Sequence, residues 1–183
     1  MRRVAVALLH HPVLDRQREI VTTAITNLDL HDIARSAFTY GVSPFFVSHP
    51  VAAQRELARR VRQHWVAGSG ARRIPDRKPP MTELRVVEHL DEAIAALDPP
   101  VALWATSAKA EGERLSFSRA HELVRAEGEG SVLVVLGTGW GLAPSVFERA
   151  QHVLAPIESP RSDGYNHLSV RAAAAIIFDR LMA

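Results

Sequence analysis

Two polar stretches of the chain carry side chains that could bind a ligand or transfer a proton. The first, residues 27–42, contains Asp29, His31 and Arg35. A carboxylate can accept a proton as a general base, and a guanidinium can hold a phosphate. His31 and Arg35 are four residues apart, so in a helix they share one face. These residues predict a polar cluster near the end of the first strand, where parallel sheets bind ligands.

The second stretch opens with a glycine-rich turn, LGTGWGL, after the apolar residues 132–136. Glycine lets a ligand approach the backbone closely, so Gly137, Thr138 and Gly139 are candidate binding residues. Tight turning alone would also explain the glycines, because such motifs often occur without a ligand. The turn lacks the Lys and Ser or Thr of a phosphate-binding loop, and Leu142 replaces the third glycine of a dinucleotide motif. ATP and NAD are therefore not expected.

A later polar loop, residues 156–168, follows a short apolar run and leads into an Ala-rich helix that begins near Ser169. Ligands of open parallel sheets sit beyond the carboxyl ends of the strands. Two successive loops of this kind favour a binding site over turns that serve the fold alone.

The elements that must position these residues alternate between strand and helix patterns, which predicts an α/β fold: a three-layer, mainly parallel sheet with helices on both faces. The 183 residues suit one domain. The predicted strands are residues 4–9, 44–47, 84–87, 101–105, 132–136 and 153–155. The predicted helices are residues 29–40, 51–65, 91–97 and 116–126, a short helix at Pro144 and the final helix. Residues 13–26 and 68–80 are predicted to be irregular.

Charge is unevenly distributed along the chain. Residues 1–80 hold 13 Lys and Arg against 6 Asp and Glu, whereas the remainder holds 9 against 14. A basic half predicts an anionic partner. Arg55, Arg59 and Arg62 recur on one face of the second helix, as in proteins that bind phosphates along a nucleic acid. A solvated helix face would give the same pattern.

The chain resembles the SPOUT class of RNA methyltransferases, the α/β-knot enzymes, on the segments LGTGWGL, API and LSVRAAAAII. The resemblance implies a single domain over residues 1–183, with a trefoil knot over about residues 101–183 that forms the S-adenosylmethionine (SAM) pocket. The cofactor-binding residues implied by the resemblance are Thr106, Gly137, Thr138, Gly139, Ile157, His167, Leu168 and Ser169.

Residues 27–42 resemble the first motif of the SpoU branch of that class, roughly Asn-x-x-x-Ile-x-Arg-Thr-Ala-x-x-x-Gly-Val. The motif's Arg falls on Arg35, which the resemblance makes a catalytic residue that binds the RNA phosphate and activates the acceptor. The motif's Asn falls on Asp29, a candidate base together with Asp163. A surface ion pair between Arg35 and Asp32 is the alternative. The glycine turn lacks the Glu of the SpoU branch.

The resemblance implies a SAM-dependent methyltransferase that acts on tRNA or rRNA as a cytoplasmic homodimer, with the basic half on the RNA. The alternative is a catalytically inactive RNA-binding or regulatory α/β protein. No metal site is expected, because His10 and His11 have only Asp15 as a nearby carboxylate. The absence of cysteine excludes disulfides and thiolate ligands. No apolar run approaches the roughly 20 residues of a membrane span.

Overall fold

The computed structural model describes residues 1–109 and 112–183, and its strands form a parallel sheet and a small antiparallel hairpin. The strands are β1 (Arg3–Leu9), β2 (Val13–Leu14), β3 (Ile20–Val21), β4 (Phe45–Ser48), β5 (Leu84–Val87), β6 (Val101–Ala105), β7 (Ser131–Gly137) and β8 (His152–Val153). The sheet has the order β5-β4-β1-β7-β6-β8, and each neighbouring pair is parallel. The hairpin pairs β2 with β3. The predicted parallel sheet is confirmed.

Helices cover both faces of the sheet. They are α1 (Asn27–Thr39), α2 (Ala52–Val66), α3 (Ser69–Arg73), a 3-10 helix (Pro75–Arg77), α4 (Lys78–Thr82), α5 (Leu90–Ala95), α6 (Phe117–Arg125), α7 (Pro144–Phe147) and α8 (Val170–Met182). One apolar core lies under α1, α2, α4, α6 and α8, and the other lies under α5 and α7. The molecule therefore has the three predicted layers. Among the described residues, none of the helices has the length and apolar character needed to cross a membrane.

The central strands are buried on both faces, which explains their continuous apolar sequences. In β1, Val4, Val6 and Leu8 enter the core under α1, whereas Ala5 and Ala7 enter the core under α5. This alternation follows from the two-residue period of a strand. The long partner of β1 is β7, which pairs with it over its whole length. These two strands fix the position of the loops that follow them.

Two segments predicted to be irregular are ordered. Residues 13–21 form the β2–β3 hairpin, and residues 69–82 form α3, the 3-10 helix and α4. Proline stands in the first turn of the 3-10 helix and of α4, where it needs no amide hydrogen. Ala110 and Glu111, which belong to a polar loop expected over residues 109–113, lie outside the described residues.

Side-chain caps mark the starts of α1, α6 and α8. Thr26, not Asp29, caps α1, since its hydroxyl accepts a hydrogen bond from the Asp29 amide at 3.2 Å. The last helix begins where it was predicted, and Ser169 caps it, because its hydroxyl accepts from the Ala172 amide at 3.3 Å. In α2, Ala58 is buried, Val61 and Trp65 pack against the core, and Leu57 is 45% exposed.

We expect Phe178→Ala to lower the free energy of unfolding by about 3–5 kcal/mol, because the fully buried ring would leave a cavity under α8. Phe38→Ala is the matched control, since Phe38 lies on α1 and is 46% exposed. Urea denaturation monitored by circular dichroism measures both changes. Equal losses from the two variants would show that α8 does not form part of the core.

Candidate active site

The carboxyl ends of neighbouring strands gather the predicted site residues along one edge of the sheet. β1 leads to His10, β6 leads to Thr106, and β7 ends at Gly137. β8 leads into the loop that contains Ile157. Because these four strands are parallel neighbours, their loops meet at one edge, which is where open α/β sheets bind ligands.

Helices α1 and α8 pack side by side, and Arg171 joins them. Its guanidinium lies 3.3 Å from an Asp29 carboxylate oxygen and 3.4 Å from an Asp32 oxygen. Further along the helices, the Tyr40 hydroxyl donates a hydrogen bond to Asp179 at 3.0 Å. This junction borders an open cleft of about 460 Å³ lined by Asp32, Arg35, Ser36, Thr39, Ser169, Arg171 and Ala172.

Arg35 is exposed in this cleft, and within residues 1–109 and 112–183 it has no ion-pair partner. The alternative of an Arg35–Asp32 pair is wrong, because Asp32 binds Arg171 instead. The cleft brings Arg35 together with Ser169, the predicted cofactor residue at the start of α8. A guanidinium in this position can bind a phosphate from solution.

The two candidate bases have different surroundings. Asp29 is 7% exposed and accepts hydrogen bonds from the Thr26 hydroxyl at 2.6 Å and from Arg171 at 3.3 Å. Asp29 thereby orients Arg171, and its role as a base stays a prediction. Asp163 is exposed and lies in a turn, where Arg161 and the Tyr165 amide bind it and lower the pKa of its carboxyl.

The β2–β3 hairpin, which the sequence did not predict, holds the glycine turn by backbone hydrogen bonds. The Trp140 amide donates to the Leu14 carbonyl at 2.8 Å, and the Leu14 amide donates to the Gly141 carbonyl at 2.9 Å. A Cβ atom at Gly139, where φ is +59°, would lie 2.8 Å from the Leu14 oxygen. Gly139 therefore serves this close contact between two backbones, whether or not a ligand binds.

Thr138 connects the glycine turn to the end of β1. Its hydroxyl donates to the Leu9 carbonyl at 3.2 Å and also forms a hydrogen bond with the Thr23 hydroxyl. The next side chain, Trp140, is 60% exposed and so does not fill a gap in the core. The glycine turn is thus fixed to the end of β1, and the Trp140 indole is exposed to solvent.

The remaining predicted cofactor residues lie on three segments. The Thr106 hydroxyl donates to the Val135 carbonyl at 2.9 Å, which fixes the end of β6 against β7. The Ile157 carbonyl accepts from the Asn166 amide group at 2.7 Å, which ties the start of the long loop to its end. His167 and Leu168 are exposed beside Ser169. Of the predicted cofactor residues, Ser169 alone lines the cleft described above.

A pair of buried histidines lies below this edge of the sheet. Neither ring nitrogen of His10 has a hydrogen-bond partner, and its side chain is fully buried. Burial, assisted by nearby His49, lowers the pKa of His10 from 6.5 to about 4. The His49 Nε2 atom lies 2.9 Å from the Thr23 carbonyl, and Nδ1 accepts from the Val51 amide at 3.0 Å. The residues described here contain no group of three potential metal ligands.

The arginine stripe on α2 stays a prediction, and two of its three members form contacts within the protein. Arg55 donates to the His49 and Pro50 carbonyls and pairs with Glu88 at 2.7 Å. Arg62 donates to the Leu84 carbonyl at 2.9 Å. Helical spacing placed these side chains on one face, but neighbouring carbonyls hold them against the protein. Arg59 is exposed.

The fold is that of known methyltransferases. It matches a probable methyltransferase from Bordetella pertussis with a TM-score of 0.66 and 18% identity, over 99% of this chain and 95% of that one. It also matches the SpoU methyltransferase AviRb from Streptomyces viridochromogenes, in complex with AdoMet, with a TM-score of 0.57 and 15% identity. That match covers 100% of this chain and 58% of AviRb.

Sequence similarity defines the family. Residues 3–183 match the family model described as SAM-dependent RNA methyltransferase. The chain therefore belongs to this family, and its cofactor is SAM. The predicted resemblance to SAM-dependent RNA methyltransferases is confirmed.

Two relatives carry more specific names. Proteins named tRNA (guanine-N(1)-)-methyltransferase from Oleidesulfovibrio alaskensis and Nitratidesulfovibrio vulgaris are 39% and 42% identical to it over 99% of this chain. The chain spans 42% of the length of each.

We expect stability to fall as the pH drops from about 6.5 to about 4, because the unfolded chain then binds a proton at His10 that the folded chain excludes. The depressed pKa of about 4 corresponds to a loss of about 3 kcal/mol. His10→Leu should flatten the pH profile, whereas the exposed-site control His89→Asn should retain it. Urea denaturation at pH 7.5 and pH 4.5 measures the difference. Parallel profiles for wild type and His10→Leu would contradict this assignment.

Proposed function

We propose that this chain transfers the methyl group of SAM to a tRNA, with SAM in the loops that follow β6, β7 and β8 and the RNA at Arg35. The observation that carries the proposal is the junction of α1 and α8. It places Ser169, at the end of the long loop, in one cleft with the exposed Arg35. The acceptor and the cofactor would then meet at the start of α8.

The residues present fit SAM by their chemistry. The glycine turn and residues 156–168 offer backbone amides and carbonyls for the polar edges of an adenine and an amino acid tail. Half-buried Ile157 and exposed Leu168 offer apolar surface for the adenine ring, and Thr106 and Ser169 offer hydroxyls. SAM supplies an activated methyl group with its own leaving group. The protein has mainly to hold the acceptor atom in line with that methyl group.

The path of the chain around β8 supports a trefoil knot. β8 lies between β6, through the pair Ala105 and Val153, and Leu115 on its other side. The Leu115 amide donates to the Val153 carbonyl and the Ala155 amide donates to the Leu115 carbonyl, both at 2.8 Å. Leu115, which follows β6 in the chain, thus lies beyond the segment that leads into the long loop. In our proposal the chain passes through the connection from β6 to Leu115 before α8, and the knot holds the cofactor loops together.

Arg35 would bind an RNA phosphate and place the acceptor atom. Arg171 lies in the same cleft, but its charge is shared with Asp29 and Asp32. Arg35 is therefore the cation available for a new anionic partner. Asp29 would act as a positioning residue through Arg171 or as the base that removes the acceptor proton.

The choice of tRNA as the substrate rests on the names of the relatives, and this chain spans only part of their length.

The proposed assembly is a homodimer that works in the cytoplasm. Leu28 is 61% exposed and lies seven residues before Arg35 on the same face of α1. Leu168 is 43% exposed at the start of α8. A second copy would cover these apolar side chains and complete the cleft.

We expect labelled methyl transfer from SAM to unfractionated tRNA, with a turnover about 100-fold lower in Arg35→Ala, because the phosphate would lose its bound cation. Arg125→Ala, which removes an exposed charge from α6, should keep the wild-type turnover. Filter-bound radioactivity under saturating SAM measures the rates. Transfer unaffected by Arg35→Ala would remove Arg35 from the site, and no transfer to any RNA would favour an inactive RNA-binding protein.

A further inference from the structure

We propose that the RNA docks through its phosphates on the helical segment 69–82, which forms a basic surface that continues to Arg35. The proposal rests on the proposed function, since it names where the substrate of that site binds. The segment comprises α3, the 3-10 helix and α4. Its cations are Arg72, Arg73, Arg77 and Lys78.

The cations of segment 69–82 are available to a partner. Arg72, Arg73 and Lys78 are exposed, and none of the four cations forms an ion pair within the described part of the chain. Asp76 is the one carboxylate in the segment. By contrast, Arg55 and Arg62 on α2 are held by carbonyl groups and Glu88. The segment that was predicted to be an irregular loop therefore presents three exposed cations of the basic amino-terminal half to solvent.

The segment is a fixed platform. Met81 is fully buried in the core under α1, and Arg62 donates to the Thr82 carbonyl at 3.3 Å. Gly70 is buried so closely against α2 that a Cβ atom there would lie 2.7–2.8 Å from the His64 and Trp65 rings. Cations on a rigid element lose less conformational entropy on binding than cations on a mobile loop.

A chain of ring contacts connects the segment to the cleft. The Arg77 guanidinium lies 4.8 Å from the centre of a Trp65 ring, and the His31 ring meets Trp65 edge-on at 5.1 Å. Burial lowers the pKa of His31, and Arg77 and Arg35 both add to the lowering, so both positive charges lie close to His31. Arg35 is one helical turn beyond His31. Positive charge thus extends from the segment to the proposed acceptor site.

A polyphosphate backbone is the partner that this surface fits. When several exposed cations without paired carboxylates bind successive phosphates, the nucleic acid releases its condensed counterions. This release gives an affinity that depends little on base sequence. Arg77 stacked on Trp65 keeps its guanidinium oriented while its charge remains available. The surface would hold the tRNA body, and Arg35 would hold the phosphate next to the acceptor.

The test compares two triple variants of the full chain for binding to unfractionated tRNA at several salt concentrations. Arg72→Ala/Arg73→Ala/Lys78→Ala removes the exposed cations but leaves the Arg77–Trp65 contact. Arg119→Ala/Arg125→Ala/Arg149→Ala removes the same charge from exposed positions on α6 and after α7. We expect the first variant to bind at least about 10-fold more weakly, with a salt dependence shallower by about 2 to 3 ions. The second should bind within about 3-fold of wild type.

Three results would overturn the docking surface: no tRNA binding by wild type, equal losses in both variants, or no loss in the first. Circular dichroism and SAM binding check that the first variant remains folded. Methyl transfer separates this proposal from the proposed function. A wild type that binds tRNA through segment 69–82 but transfers no methyl group would contradict the function alone. Transfer with an unchanged KM for tRNA in the first variant would contradict the docking surface alone.

Discussion

The site depends on the position of α8 against α1, and the Arg171 bridge fixes that position. Asp29 is almost fully buried, so its carboxylate needs the Thr26 hydroxyl and the Arg171 guanidinium as partners. Loss of Arg171 would leave the Thr26 hydroxyl as the remaining side-chain partner of this carboxylate, which is unfavourable for an almost fully buried charge. The bridge therefore selects one register between the helices. In that register Ser169, at the start of α8, faces the cleft that contains Arg35.

A second constraint acts on the glycine turn. Hydrogen bonds from the β2–β3 hairpin and from Thr138 connect the end of β7 to the end of β1, which leads to α1. The turn and the α1 cleft are thus supported by the same strand. Gly139, a candidate ligand-binding residue, is required for this packing whether or not a ligand binds, since a side chain there would meet the Leu14 carbonyl. Rigid support of this kind suits a reaction that depends on alignment.

Strand alternation, apolar runs and Pro144 were sufficient to predict the parallel sheet, the short helix at Pro144 and the start of α8 near Ser169. The β2–β3 hairpin escaped prediction because strands of two residues carry no measurable period. Arg171 was missed because its two partners are more than 130 residues away in sequence. Spacing correctly aligned the α2 arginines but could not show that carbonyl groups bind Arg55 and Arg62.

In our proposal SAM binds in the loops at the carboxyl edge of the sheet, beside the start of α8. Calorimetry of SAM binding to the wild type, Gly139→Val and Ser169→Arg tests it most directly, with Gly41→Ala as a control whose positive φ is strained but whose Cβ atom meets nothing within 4 Å. We expect micromolar-range binding that both loop variants abolish and the control retains. Binding that survives both loop variants in folded protein, or no binding by wild type, would contradict it.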